Sequence, residues 1–136
     1  MTFLRPALAA LALIASILPA QAAWTELGGN EQVTFYADFD ALEKAKDAVS
    51  IWTLVDSKKP RTYEGKSFNS VRTQFQFQCE GPKVREVETR FHAGAMAAGE
   101  LVASYKLDEP AWEAVASGTV KDALAQELCK PPAAAK

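Results

Sequence analysis

The 136-residue chain has one His, two Cys, two Met and no excess of basic charge, with 15 Lys+Arg set against 17 Asp+Glu. A net charge of −2 leaves no general electrostatic grip on nucleic acid, so no nucleic-acid partner is expected. A lone imidazole gives a hydroxyl or thiol nucleophile little choice of base, and no G-x-S-x-G elbow occurs. The two Cys form no C-x-x-C pair, and no G-x-G-x-x-G or Walker spacing is present to cradle a phosphate. These gaps argue against an enzyme and against any cofactor. The high apolar content, 49%, is that of a folded globular chain, and the length fits one domain.

The first 22 residues read as an export signal, followed by a single domain over 23–136. Arg5 supplies the positive start, Ala7 to Leu18 carry no charge, and Ala20-Gln21-Ala22 after Pro19 is the small-x-small pattern of a cleavage site. An apolar run of 12 residues spans about 18 Å as helix, against roughly 30 Å for a hydrocarbon core. Cleavage after Ala22 leaves no stable membrane anchor, and no Cys stands near the junction to carry a lipid. The expected location is outside the cytoplasm: periplasm, medium or cell surface. In such an oxidising place Cys79 and Cys129 have a single intramolecular pairing open to them. Closing that loop of about 50 residues stabilises by roughly 4 kcal/mol in the chain-entropy account.

Period-2 alternation dominates from residue 32 to 107. Val33, Phe35 and Ala37 share one side of a short strand. A turn follows over Asp38–Asp47, where the capping-box spacing of Asp40 and Glu43 predicts one helical turn. Val49 to Val55 is apolar on both sides and predicts a central strand covered on each face. Asp56-Ser57 is expected to end it, with a polar loop from Lys58 to about Lys66. In Ser70–Cys79, Val71, Thr73, Phe75 and Phe77 point one way and Ser70, Arg72, Gln74, Gln76 and Gln78 the other. After a turn at Glu80–Lys83, the return strand is expected to hold Val87, Thr89, Phe91 and Ala93 inside and Glu86, Glu88, Arg90 and His92 outside. A small-residue connector, Ala93–Gly99, leads to Leu101, Ala103, Tyr105 and Leu107 as one more alternating set. The period then changes. Ser117 or Thr119 can cap a helix over about Val120–Cys129, with Val120, Leu124 and Leu128 on one stripe, and Pro131-Pro132 stops it. The expectation is an α+β fold: a small antiparallel sheet of about five to six strands, one C-terminal helix packed on it, and the Cys79–Cys129 disulfide as its staple.

Several groupings invite a functional reading. The row Glu86, Glu88, Arg90, His92 offers two carboxylates and an imidazole, yet Arg90 within it repels a cation, so a solvated face is the simpler reading and no metal site is expected. Lys58, Lys59, Arg61, Lys66 and Arg72 form the one local basic cluster, suited to an anionic partner. Met96 sits at the tip of the apolar connector, a candidate contact point. Trp52 lies opposite Ile51 in a strand with no polar side, which makes a homodimer through the sheet an open expectation.

In order and spacing the chain resembles the surface-adhesin protein E family of exported bacterial proteins. The matching pieces are Trp24, Phe35-Tyr36-Ala37-Asp38, Ile51-Trp52-Thr53-Leu54-Val55-Asp56 and Lys59-Pro60. Ser70-Val71-Arg72, Cys79, Thr89-Arg90-Phe91 and Gly99 follow, then Trp112, Val115, Ser117-Gly118 and the helix ending in Cys129. The resemblance implies the same sheet, helix and disulfide, and a non-enzymatic role in adhesion to host or envelope proteins. The absence of a lipid-attachment Cys departs from the family's founding pattern. The competing reading is a periplasmic binder of a small ligand such as haem, using the apolar connector and the aromatic residues.

Overall fold

In the computed structural model, which describes residues 23–130, the alternating segments form one antiparallel sheet. The strands are β1 (Thr25–Gly29), β2 (Val33–Ala37), β3 (Glu43–Lys44), β4 (Val49–Tyr63) and β5 (Lys66–Gln78). They continue with β6 (Lys83–His92), β7 (Leu101–Lys106) and β8 (Glu113–Ala114), before the helix α1 (Val120–Leu128). The main path runs β1-β2-β4-β5-β6-β7, with β3 paired to β4 and β8 to β6. The two short pairings raise the count to eight strands, above the five to six expected, because two-residue bridges leave no readable alternation. The expected signal over 1–22 and the stop at Pro131-Pro132 lie outside the described residues.

The two faces of the sheet are covered differently. On one, α1 rests over Ala37, Val49, Ile51, Phe77 and Val84, contributing Leu124 and Ala125 to the buried cluster. Thr119 caps the helix, its Oγ1 accepting the Asp122 N–H at 3.2 Å. Cys129 closes it and joins Cys79, with Cα atoms 5.4 Å apart, so the staple is present as expected. Val120 departs from the expected stripe: it is 38% exposed while Leu124 is 2%. The first helical turn overhangs the sheet, and the buried stripe starts one turn later.

Four expectations are corrected. Lys58 to Lys66 is not a loop: β4 and β5 continue as a hairpin to a two-residue turn at Glu64-Gly65. Positive φ at both turn residues, 48° and 76°, matches the twist of the flanking strands. An irregularity between Asp56 and Arg61, containing Pro60, breaks the alternation there and disguises the strand. Tyr63 and Phe68 then fold back onto Phe91. Second, no helical turn forms at Asp40–Glu43. Asp38 Oδ1 accepts the Asp40 N–H at 3.1 Å, and the chain bends directly into β3.

Third, β6 carries a bulge. Gln74 faces Glu88 but Phe75 faces Glu86, so Val87 is the extra residue and everything before it is turned over. Glu86 therefore joins the face of Thr89 and Tyr105, hydrogen-bonding both, while Glu88, Arg90 and His92 remain on the other. A second bulge, between Phe91 and His92, splits the β7 set: Leu101 faces His92, whereas Ala103 and Tyr105 face Phe91 and Thr89. Fourth, Ser70 and His92 are buried rather than outward, and Ala93 is exposed rather than inside. The cause is the connector. It forms a single 3-10 turn at Ala95–Ala97 that folds back over β4 and β5. Ser70 Oγ donates to the Gly94 carbonyl at 2.7 Å and accepts the Ala97 N–H at 2.9 Å, and the Met96 N–H donates to Asp56 Oδ1 at 3.0 Å.

Candidate functional site

The helix occupies one face, and the connector covers one end of the other. What remains open on that second face is set by register: Trp52 faces Gln74, Arg72 faces Arg90, Gln74 faces Glu88 and Gln76 faces Arg85. Strand alternation fixes these neighbours, and the Val87 bulge brings Arg85 to this side.

Three arginine–tryptophan contacts result, two of them on Trp52. The guanidinium carbons of Arg72 and Arg90 lie 4.8 Å and 5.2 Å from the Trp52 ring centroid. Arg90 Nε also donates to Glu88 Oε1 at 2.8 Å. Farther along, the Arg85 guanidinium sits 4.3 Å over Trp112. Its Nε donates to Gln76 Oε1 at 2.8 Å and its Nη1 to the Pro110 carbonyl at 3.4 Å. Trp112 belongs to the irregular stretch between β7 and β8, folded round to meet β6.

Charge in this cluster is incompletely matched. Burial, and then the neighbouring Arg90, lower the pKa of Arg72, with Glu88 opposing the change. An arginine remains cationic across the physiological range even so. The buried Arg72 Nε has no hydrogen-bond acceptor among the described residues. His92, 7% exposed beneath the connector, has no partner on either ring nitrogen among the described residues. Its pKa is lowered by burial first and by Arg72 and Arg90 next, which favours the neutral imidazole.

The residues singled out in sequence are dispersed. Lys58 reaches the β1–β2 turn, its Nζ donating to the Asn30 carbonyl at 2.9 Å. Lys58, Lys59 and Arg61 line a groove of about 440 Å³ with Glu31, Gln32, Val33, Ser57 and Pro60. Lys66 turns to the opposite edge, donating to the Val102 carbonyl at 3.1 Å, and Arg72 stands apart on the sheet face. Met96 is 38% exposed at the crest of the connector. The expected row of Glu86, Glu88, Arg90 and His92 is divided between faces by the bulge. Among the described residues, no three His, Cys, Asp or Glu side chains gather as a metal site would require. A second groove, about 530 Å³, runs along Lys44–Val49, Phe77–Glu80 and Leu128. No helix among the described residues is long and apolar enough to cross a membrane.

The sequence pattern singled out Arg72, Arg90 and Trp52 separately without bringing them together. Trp52, Gln74 and Gln76 were legible on the same side by alternation. Arg85 was hidden by the bulge, and Trp112 by a connector without periodicity.

Comparison with known proteins follows the same geometry. A family model described as surface-adhesin protein E matches residues 24–130. No curated protein matches the chain. Among solved structures, that of Haemophilus influenzae protein E superposes with a TM-score of 0.60 at 18% sequence identity. The match covers 81% of this chain and 86% of the other. At that identity, the likeness concerns the fold.

Proposed function

From the premise that this chain belongs to the surface-adhesin protein E family, we propose that it is an exported, non-catalytic domain that binds a protein of the host or of the envelope. The observation that carries the reading is the open sheet face with its three Arg–Trp contacts, opposite the face that α1 covers. Aromatic and arginine side chains dominate the energetics of protein interfaces, and here they are held by neighbours on a rigid sheet. Lys58, Lys59, Arg61 and Met96 are assigned as flanking contacts. Met96 is anchored through Asp56, which lies two residues before Lys58. The export signal over 1–22 belongs to the same proposal, with Ala23 as the mature start.

The test is saturable binding of the purified mature domain to a panel of purified matrix and envelope proteins. Absence of binding to every member removes the reading. Changing Lys58, Lys59 and Arg61 together to Glu is expected to weaken capture without moving the melting temperature. Sedimentation at high concentration tests the homodimer: a monomer throughout dismisses it. No observation favours the small-ligand alternative, since protein covers both nitrogens of the one imidazole that could meet a haem iron.

A further inference from the structure

We infer that the face carrying Trp52, Arg72 and Arg90 is a clamp for carboxylates in an acidic, extended segment of a protein partner. The inference rests on the binding-domain reading above and adds the chemistry of the ligand.

The first argument is unmatched charge. Two guanidiniums flank Trp52, and one carboxylate, Glu88, stands with them. Glu88 is engaged by Arg90, while Arg72 has no ion-pair partner among the described residues. Its buried Nε lacks an acceptor among them and is out of reach from outside, so an arriving carboxylate meets the Nη end of the guanidinium and balances the charge there. The second argument is geometry. The cation–π contact with Trp52 holds the fork of Arg72 before a ligand arrives, so little freedom is lost on binding. A carboxylate is the planar acceptor that such a fork fits two-pronged.

The third argument is spacing. Arg85 pairs with Gln76, four residues along β5 from Arg72, which is roughly 13 Å at about 3.3 Å per residue. An extended segment with acidic residues at i and i+4 presents two carboxylates on one side at the same interval. Gln74 lies between, an amide able to meet the segment's backbone. The fourth argument separates this ligand from a sulfated glycan. The chain carries a net charge of −2, and Glu88 sits within the cluster, so a uniformly charged polyanion meets repulsion that discrete carboxylates avoid.

The experiment uses the mature domain and two synthetic extended peptides, one with Glu at i and i+4 and one with Gln there, followed by calorimetry and tryptophan fluorescence. The Glu peptide is expected to bind at least tenfold more tightly and to perturb the tryptophan signal. The double variant Arg72→Gln, Arg90→Gln is expected to lose at least tenfold, Arg72→Lys a smaller amount, and Lys121→Gln on the helix face nothing. Equal binding of the two peptides by the unaltered domain overturns the inference whatever the variants do. So does undiminished binding by the folded double variant, or heparin binding as tightly as the Glu peptide. Failure of the Glu peptide to compete with a bound matrix protein removes the clamp and leaves the binding-domain reading standing. Loss of every protein partner while the Arg72-dependent peptide still binds does the reverse.

Discussion

Tyr63 lies flat on Phe91, with ring centroids 4.2 Å apart and planes 9° from parallel. Phe68 meets the same ring edge-on at 5.0 Å. The far end of the β4–β5 hairpin is thereby fastened to the sheet by aromatic contact rather than left as a free arm. Replacing Tyr63 with Ala should cost about 2 kcal/mol through lost apolar area and stacking. Equilibrium urea unfolding reads this directly, and an unchanged midpoint would show that the hairpin stands without its aromatic anchor.

The turn at the tip of that hairpin depends on Gly65. With φ at 76° and open space where a Cβ would stand, its replacement by Ala meets conformational strain and no collision. The expected loss is about 1–2 kcal/mol. Glu64, at φ 48°, already tolerates a strained position, so Glu64→Asn should stabilise slightly. Thermal melts of the two variants should move in opposite directions.

Along α1, residues one helical turn apart differ in worth. Leu124→Ala removes a side chain buried against the sheet and should cost about 2–5 kcal/mol. Val120→Ala, at an exposed site, should stay within about 0.5 kcal/mol of the unaltered protein. Similar losses at both would place the helix differently.

Reduction of Cys79–Cys129, separated by 50 residues, should lower stability by about 4 kcal/mol in the chain-entropy account. Denaturation with and without reductant measures the difference. A change below about 1 kcal/mol would mean that helix packing alone restrains the C-terminal segment.

His92 predicts a pH dependence. Its folded-state pKa lies below the ordinary value of 6.5, so between the two values the unfolded chain takes up a proton that the folded one declines. Stability is therefore full above pH 6.5 and falls as the pH drops below it. His92→Gln should flatten this part of the profile. If the unaltered protein and the variant lose stability in parallel between pH 7.5 and 5, the imidazole is not responsible.

The parts of the fold legible in sequence were those with undisturbed alternation or helical spacing: Val49–Val55, Ser70–Cys79, and the helix from Val120 with its sulfur link. The segment Lys58–Lys66 escaped because its irregularity hides the period and its polar side chains imitate a loop. Ser70 and His92 were placed outside because nothing local reveals that Gly94–Gly99 doubles back to cover them. The candidate face was half readable. Arg72 and Trp52 follow from alternation, but Arg85 requires knowledge of the bulge and Trp112 knowledge of the tertiary path.

That bulge at Val87 has a wider consequence. Were the bulge smoothed so that Val87 itself stood opposite Phe75, the start of β6 would rotate by half a turn, carrying Arg85 beneath the helix and leaving Val84 outdoors. Deleting Val87 would instead keep both in place. Inside and outside along this strand are thus written in a count of residues as well as in their chemistry. Where β6 places its spare residue decides the make-up of the open surface more thoroughly than most substitutions would.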